Sequence, residues 1–470
     1  MSVSQGSPGE SAASGQETVS LYEKWRKIYP LWVSGGWQTS RRVVLAILVM
    51  IFYVSPWLQW NGEPGVWLDL EHRRFTILWA TFVPEEFVLL AWLLLIAALT
   101  LFTVTVAAGR VFCGWACPQT VWSLVYFSIE RWVEGDRNVR MRLDNGQWNL
   151  NRIRKKTLKY TLWAAVAFSI SITFVGLFEP IREFLPRIAT LDLSRTEVIA
   201  ILMPAGASFL FSGVLREQVC FHMCPYARFQ SVMFDRDSMI ISYDVDRGES
   251  RGNRKRSVDP ESVGLGSCID CMKCVNVCPT GIDIRDGLQY QCIGCAACID
   301  ACTDVMSTMG YGDSLIRYSS ENSDEGKKRH WLRPRLAGYA SLIVVMVGAF
   351  AYAASHRIPA AFDVVRDRNR LYREFWDGRI ENVFTLRITN RENVEREYRI
   401  GFESEMDLRY DGPKTIRVAG GELVTLPIRL TLPGDEEDPV SSGSVLFKVE
   451  GEGVALEKKT RFHIPEEKPN

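Results

Sequence analysis

Histidine is scarce in this sequence, which has five histidines among its 470 residues. None of them lies inside a long hydrophobic run; they are His72, His222, His330, His356 and His463. Haem iron is commonly held by axial histidines, and a haem pathway through a membrane needs such residues within the membrane helices. The sequence therefore argues against electron transfer across a membrane through haem.

Neither sign of charge dominates, because Lys and Arg total 55 and Asp and Glu also total 55. A balanced chain has no general attraction to nucleic acid, so we expect no nucleic-acid partner. Cysteine is absent after Cys302, and all twelve cysteines lie between Cys113 and that residue. Thiolate ligands persist in reducing compartments, so we expect the middle of the chain to face the cytoplasm.

Eight of the cysteines form two runs with the same C-x2-C-x2-C-x3-C spacing, which is typical of bacterial two-cluster ferredoxins. Three cysteines of a run bind one [4Fe–4S] cluster, and the fourth reaches across to the other cluster. The predicted ligand sets are Cys268, Cys271, Cys274 and Cys302 for one cluster, and Cys292, Cys295, Cys298 and Cys278 for the other. Pro279 follows the first run, but Thr303 follows the second, which removes no ligand. Zinc is the alternative, although zinc sites usually take two well-separated pairs.

Five hydrophobic runs approach the length of about 20 residues that a helix needs to cross a bilayer. They cover residues 43–58, 87–108, 160–178, 198–215 and 336–354. The fourth run is interrupted by Pro204, Gly206 and Gly213, so a kinked or re-entrant segment is possible there.

Basic residues flank these runs unevenly. Arg41 and Arg42 precede the first run, the segment 109–159 is rich in Lys and Arg, and another basic group precedes the fifth run. Basic loops stay on the cytoplasmic side of a membrane. We therefore expect the N-terminus and the ferredoxin runs in the cytoplasm and the C-terminal tail in the periplasm.

Two further cysteine pairs follow the second and fourth hydrophobic runs, and each reads C-x3-C-P. They are Cys113 with Cys117, and Cys220 with Cys224. A spacing of four predicts both sulfurs of a pair on one side of a helical turn, and the proline predicts a helix boundary. We expect the two pairs to converge at one membrane surface, close to the ferredoxin runs.

Three interpretations of these four cysteines stay open. A soft-metal site would suit Cu(I), with His222 and Met223 as additional ligands. A redox dithiol or an additional cluster is the second interpretation, because four thiolates also hold a cubane. The third is four small buried residues without chemistry, which the repetition of the motif at equivalent positions disfavours.

The C-terminal tail changes to the alternating pattern of β-strands. Its predicted strands are 383–388, 397–402, 423–430 and 444–449, separated by turn signals such as Asp411-Gly412-Pro413. Evenly spaced short strands over about a hundred residues predict an immunoglobulin-like β-sandwich.

The predicted fold class is a five-helix membrane protein with a bacterial 2[4Fe–4S] ferredoxin-like domain and a C-terminal immunoglobulin-like sandwich. The predicted order begins with a mostly disordered cytoplasmic N-terminus and a four-helix membrane domain containing the cytoplasmic loop 109–159. The ferredoxin domain, the fifth helix and the periplasmic β domain follow. The boundaries of the five parts are 1–40, 41–215, 216–333, 334–354 and 355–470.

The chain resembles the FixG/RdxA/CcoG family of cytochrome c oxidase accessory proteins. The resemblance rests on Cys113–Pro118 with Gln119, on Cys220–Pro225 with Tyr226 and Arg228, on the paired ferredoxin runs and on the predicted helices and β domain. It implies a bacterial inner-membrane protein that assists assembly of cbb3-type oxidase. It also implies a cupric reductase activity that supplies Cu(I).

The residues that this resemblance assigns to copper handling, and that we take as candidate catalytic and copper-binding residues, are Cys113, Cys117, Cys220 and Cys224, with His222 as an additional copper ligand. The expected partners are oxidase assembly factors or a copper transporter or chaperone, and an unidentified cytoplasmic electron donor. Two alternatives stay open. One is a membrane electron conduit to quinone or to a partner reductase, and the other is a non-enzymatic assembly scaffold or redox sensor.

Overall fold

The computed structural model describes residues 27–60, 63–70, 74–77, 80–82, 87–330, 333–356, 358–367, 370–392, 394–433 and 443–464. The segment predicted to be disordered therefore lies mostly outside the described residues. Residues 27–35 are ordered, because the Leu31 N–H donates to the Asn276 carbonyl over 2.7 Å and Leu31 and Val33 pack against Val277. Ordered structure thus begins before residue 41, where the sequence predicts the membrane domain to start.

The helices of the described residues are α1 (Gly36–Val54), α2 (Phe87–Ala108), α3 (Val111–Trp115), α4 (Pro118–Glu134), α5 (Arg137–Asn145), α6 (Leu150–Val175), α7 (Ile181–Ala189), α8 (Arg195–Ser208), α9 (Pro225–Met233), α10 (Val245–Gly248), α11 (Lys273–Asn276), α12 (Ala297–Met309), α13 (Glu321–Asp324) and α14 (Pro334–Ser355). Five helical segments of the described chain are long and apolar enough to cross a membrane. They are Gly36–Trp57, Phe87–Ala108, Leu150–Val175, Arg195–Leu215 and Pro334–Ser355. The five predicted membrane helices are confirmed. The first and third begin earlier than predicted, because a polar stretch at each N-terminus is also helical.

The fourth membrane helix is continuous although it contains a proline. Ser194 and Glu197 form a capping box at its start. Pro204 lies inside α8, which passes directly into a π-helical segment, Phe209–Leu215. Proline removes a main-chain donor, and π-helical turns occur mostly as short insertions, often at functional sites. One continuous helical span therefore stands where the sequence allowed a kinked or re-entrant segment.

The first membrane helix is capped by a side chain of the ferredoxin region. Asp300 on α12 is buried, and its carboxylate accepts from the Gln38 N–H over 2.7 Å and from the Trp37 N–H over 3.3 Å. A carboxylate is a favourable partner for the free N–H groups at a helix N-terminus. Gly35 permits the approach, because a Cβ there would lie 2.2 Å from Asp300 Cγ. The ferredoxin region is thus fixed to the membrane part.

The predicted loop 109–159 is itself helical, since it contains α3, α4, α5 and the start of α6. A buried group of charges ties these helices together. The Glu130 carboxylate on α4 lies 2.6 Å from Arg216 Nη2, 3.3 Å from Arg140 Nη1 and 3.6 Å from Lys159 Nζ. Lys27 also reaches it over 3.5 Å. One carboxylate therefore links the N-terminal segment to four other parts of the fold.

The strands form a small extramembrane hairpin region, a ferredoxin hairpin and the C-terminal domain. Those before α2 are β1 (Gln59–Trp60), β2 (Glu63–Pro64), β3 (Val66–Asp69), β4 (Arg74–Ile77) and β5 (Ala80–Phe82). The ferredoxin region contains β6 (Ile240–Tyr243), which pairs antiparallel with β7 (Ile316–Ser319). Ile241, Leu315 and Ile316 are buried beneath the cysteine loops and form a compact core with α12.

The C-terminal domain is a two-sheet antiparallel sandwich. Its strands are β8 (Ala360–Arg366), β9 (Arg373–Glu374), β10 (Ile380–Asn390), β11 (Arg396–Ser404), β12 (Arg409–Asp411), β13 (Thr415–Val418), β14 (Leu423–Leu432), β15 (Ser444–Gly451) and β16 (Val454–Arg461). One sheet has the order β12-β14-β10-β8 with β9 beside β10, and the other has the order β13-β11-β15-β16. Alternate residues such as Phe384, Leu386 and Phe447 face a shared core. The predicted immunoglobulin-like sandwich and its four predicted strands are confirmed.

We predict that Glu130→Gln lowers the free energy of unfolding by about 3–5 kcal/mol, because it leaves buried cations without their counter-charge. Burial alone would raise the pKa of Glu130, but Arg216, Lys27 and Lys159 lower it to about 2. The stabilisation should thus be present above the ordinary glutamate pKa and be lost as the pH falls towards 2. Thermal unfolding of the detergent-solubilised protein measures the effect.

The matched control is Glu321→Gln, which removes one partner of the exposed pair with Arg236. Exposed pairs contribute about 0–1 kcal/mol, so this variant should unfold close to the unmodified protein. Equal shifts in the two variants would show that the Glu130 network does not hold the helices together.

Candidate functional site

The two cysteine loops share one backbone shape. The residues on either side of the second cysteine are left-handed in both loops: Asp270 and Met272 have φ values of 51° and 56°, and Gly294 and Ala296 have values of 67° and 60°. This conformation is strained for residues other than glycine. Its repetition at equivalent positions turns each loop around a central space before α11 and α12 begin.

Each loop borders a cavity whose cysteines are those that the sequence assigns to one cluster. The first cavity is lined by Cys268, Cys271, Cys274 and Cys302. The second is lined by Cys278, Cys292, Cys295 and Cys298, and Cys274 also borders it. The fourth cysteine of each run therefore lies with the first three of the other run, which is the arrangement that crossed ligation requires.

These thiol sets fit a cubane better than a single ion. Within the described ranges, no three His, Cys, Asp or Glu side chains are close enough together to hold one metal ion. That result disfavours zinc, whose thiolate ligands lie about 2.3 Å from the metal. Burial raises the pKa of Cys274 and of Cys292 to about 12, so iron must displace these protons on binding. A bound [4Fe–4S] cluster supplies one-electron transfer.

Arg285 is a site residue that the sequence pattern does not reveal. Its guanidinium donates to Asp270 over 2.5 Å, to Asp283 over 2.6 Å and to the Met272 sulfur over 2.8 Å. It therefore holds both residues that flank Cys271, and it lines the first cavity. A buried cation at this position favours added negative charge on a cluster. No spacing rule points to it, because its partners come together only in the fold.

The two C-x3-C-P pairs also share a geometry, but it is not the predicted one. Cys113 lies in α3 and Cys220 in a π-helical turn, Val219–Met223, whereas Cys117 and Cys224 are extended residues just before α4 and α9. The prediction of both sulfurs on one helical turn is therefore wrong. A residue before proline is disfavoured in the helical conformation, so each helix ends before its second cysteine. The predicted helix boundary at each proline is found.

The structure nevertheless brings the four thiols of the pairs together. Burial raises the pKa of Cys113 and of Cys220 to about 12, and the neighbouring thiols add to this rise. Burial also raises the pKa of Cys117, with a further contribution from Cys224. The thiols therefore lie near enough to raise one another's pKa, although no three described His, Cys, Asp or Glu side chains are close enough together to hold a single metal ion. We call Cys113, Cys117, Cys220 and Cys224 the four-thiol site.

The four-thiol site adjoins the second cysteine loop through backbone contacts. Gly114 carries no side chain, and a Cβ there would lie 2.6 Å from the Ile293 oxygen and 3.0 Å from the Cys295 nitrogen. Trp115 Nε1 donates to the Gly294 carbonyl over 3.3 Å. Helix α3, which carries Cys113, thus packs directly on the loop that carries three predicted cluster ligands.

Arg110 joins the same elements from the other side and was not singled out by the sequence. Its buried guanidinium donates to the Ala227 carbonyl over 2.7 Å and to the Cys292 carbonyl over 3.4 Å. Its charge also lowers the pKa of Cys113 and Cys220, although burial and the other thiols dominate. Arg110 is the cation that lies between the two thiol sets. Its position three residues before Cys113, the first cysteine of the first C-x3-C-P motif, is the available sequence signal.

His222 is more exposed to solvent than the four cysteines. The residue is exposed on the π-helical turn, and its ring meets the Phe221 ring edge-on with 6.4 Å between centroids. The structure also shows a polar neighbour that the sequence did not predict. Cys113 Sγ donates to Gln230 Oε1 over 3.4 Å. Copper ligation by His222 stays a prediction.

Two cysteine loops around cavities that fit cubanes, fixed to membrane-spanning helices, define a membrane-bound iron–sulfur electron-transfer protein. Family models agree with this class. Residues 215–321 match a 4Fe-4S dicluster domain, residues 90–133 a 4Fe-4S binding domain, and residues 350–465 the IG-like fold at the C-terminal of FixG.

The chain belongs to the FixG/RdxA family. It is 38% identical to protein RdxB of Cereibacter sphaeroides, over 83% of this chain and 85% of that protein. It is 35% identical to protein RdxA of the same organism, over 90% of this chain and 93% of that protein. It is 32% identical to the nitrogen fixation protein FixG of Rhizobium meliloti, over 96% of this chain and 91% of that protein. The similarity therefore covers the membrane, ferredoxin and β domains together.

Crossed ligation predicts the iron content of paired serine variants. Cys278→Ser with Cys292→Ser removes two ligands of one cluster, so about four of about eight iron atoms should be retained. The matched pair Cys278→Ser with Cys268→Ser removes one ligand from each cluster, so little iron should be retained. Iron and acid-labile sulfide determination on the anaerobically purified variants measures both. The reverse order of iron contents would mean that each run ligates its own cluster.

Proposed function

We propose that this protein reduces Cu(II) to Cu(I) at the four-thiol site and thereby assists assembly of cbb3-type cytochrome c oxidase. The observation that carries the proposal is the contact between that site and the second cysteine loop, where Gly114 packs against Ile293 and Cys295. A one-electron centre then lies directly beside a group of soft ligands. The role in oxidase assembly is supported by the family to which the chain belongs.

Copper suits the ligands of this site. Thiolates are soft ligands that prefer Cu(I) to Cu(II), so capture of the product favours the reduction. One electron converts one Cu(II) to one Cu(I), and one reduced cluster is oxidised in return. Cys113, Cys117, Cys220 and Cys224 are the proposed copper ligands, with His222 as an additional ligand that can meet copper from the exposed side. Among the described residues no three of these groups are close enough together to hold one ion, so in this proposal copper draws the thiols closer together as it binds. Copper is the substrate in this proposal, and the expected partners are a copper transporter or chaperone and the oxidase assembly factors.

We predict that Cys220→Ser with Cys224→Ser lowers Cu(II) reduction at least tenfold and leaves the iron content at about eight per chain. The reason is that the variant removes half of the soft ligands and none of the predicted cluster ligands. The measurement is anaerobic Cu(II) reduction by dithionite-reduced protein, followed with a Cu(I)-specific chromophore together with the cluster EPR signal. His222→Ala is the matched variant on the same turn, and its loss should be smaller because the ring is exposed.

Three results would contradict this proposal. Unchanged Cu(II) reduction in the double variant would remove the four-thiol site from the reaction. An iron content near twelve in the unmodified protein would mean that the four thiols hold a third cubane instead of copper. Clusters that stay reduced in excess Cu(II) would favour an electron conduit or a scaffold. In cells, the double variant should lower cbb3 oxidase activity, and added copper should restore it.

We propose further that the ferredoxin region faces the cytoplasm and the β domain the periplasm. The basic residues of segment 109–159 and those before α14 support this orientation, and five crossings then place the tail on the opposite side. A C-terminal alkaline phosphatase fusion should be active, and a fusion after residue 330 should be inactive. The opposite pattern of activities would invert the topology.

A further inference from the structure

A cavity of about 120 Å³ lies where the first membrane helix meets the ferredoxin region. Its walls come from the N-terminal segment, the first turns of α1, helix α4 and the second cysteine loop. Most of its lining is apolar, including Leu31, Leu124, Phe127, Val277 and Ile293. The cavity is smaller than the usual pocket for a drug-sized ligand, and its largely apolar lining with some polar groups suits a single aromatic ring. Its place at the end of a membrane helix favours a ligand that arrives through the lipid.

The cavity touches both redox sites. Val277 and Pro279 flank Cys278, and Ile293 follows Cys292, so these lining residues are sequence neighbours of two predicted ligands of the second cluster. Cys220 of the four-thiol site also lines the cavity. A molecule bound there is therefore placed to exchange electrons with the second cluster.

Glu217 gives the cavity a proton acceptor. It lines the cavity, and burial raises its pKa, with a further rise from Glu130 and a lowering by Arg216. The Arg216 guanidinium is itself paired with Glu130 at 2.6 Å. Across the described ranges, no cation forms an ion pair with the Glu217 carboxylate. A carboxylate without a fixed cation can accept a proton from a bound hydroxyl group.

The cations of the cavity are not arranged for a nucleotide. Arg41 Nε donates to the Gly114 carbonyl over 2.7 Å. Arg42 Nε donates to the Gln38 carbonyl over 2.9 Å, and its guanidinium lies over the Trp32 ring at 4.9 Å. Phosphate recognition needs free donors that converge on the anion. The lining therefore favours an uncharged aromatic ring over a nicotinamide or flavin nucleotide.

We propose that this cavity binds a membrane quinol, which is the electron donor to the clusters. The proposal rests on the proposed electron-transfer function but not on copper as the acceptor. Oxidation of one quinol to the quinone releases two electrons and two protons. Each of the two oxidised clusters takes one electron, the Glu217 carboxylate takes one proton from a ring hydroxyl, and water takes the other.

Binding of decylubiquinone to the full-length protein in lipid nanodiscs tests the site without any turnover. The unmodified protein should bind about one molecule, and Leu124→Trp, which fills the cavity, should weaken binding at least tenfold. Leu94→Trp makes the same change on the exposed face of α2 and should bind as the unmodified protein does. Glu217→Gln should bind normally but slow cluster reduction by decylubiquinol at least tenfold. Equal binding by the two tryptophan variants would overturn the site.

A second measurement does not depend on how the variants fold. An azido-ubiquinone, photoactivated on the unmodified protein, should label peptides from 28–33 or 119–127, in competition with decylubiquinone. Labelling confined to other peptides, or a phospholipid that stays in the cavity and is not displaced, would overturn the proposal.

The quinol proposal and the copper proposal can be tested separately, because dithionite reduces the clusters without quinol. A failure of dithionite-driven Cu(II) reduction would therefore contradict the copper proposal alone, whereas a failure of quinone binding would contradict this one alone.

Discussion

The close backbone contact between α3 and the second cysteine loop is the constraint on which the rest of the site depends. Gly114 has no room for a side chain because Ile293 and Cys295 occupy the space where a Cβ would lie. That contact brings the first C-x3-C-P pair beside the second cluster position. A displacement by the width of one side chain would separate the four-thiol site from the electron source, while each site alone would stay intact.

Buried charges maintain this contact from both sides. Arg110 binds the carbonyls of Cys292 and Ala227, and so holds the cysteine loop to α9. Glu130 and its cations hold α4, which begins directly after Cys117, to α5, α6 and the N-terminal segment. Buried ions are costly unless they are paired. The partners of Glu130 lie on different elements of the fold, so this buried charge fixes the relative positions of those elements.

Local patterns in the sequence predicted the elements, and non-local packing decided the site. The spacing of the eight ferredoxin cysteines predicted which four cysteines line each cavity. Three closely spaced cysteines in one loop can surround only one cluster. Hydropathy and alternation likewise predicted the membrane helices and the sandwich. The prediction that Cys117 and Cys224 lie within a helical turn was wrong. The proline after each cysteine disfavours the helical conformation, and this effect outweighed the spacing of four residues. Arg110, Arg285 and Asp300 were missed, since their partners are distant in the chain.

The two cluster positions differ in their surroundings, and this difference implies separate tasks. The first cavity includes Cys271, which is exposed, and it is backed by Arg285. The second cavity is lined by the buried Cys295 and shares Thr280, Ile293 and Ala297 with the apolar cavity at the end of α1. In the proposed scheme, exchange with a lipid-soluble donor and with the four-thiol site therefore converges on the second position. The first position, with its neighbouring cation and its access to solvent, can store an electron, so a two-electron donor can be matched to a one-electron acceptor.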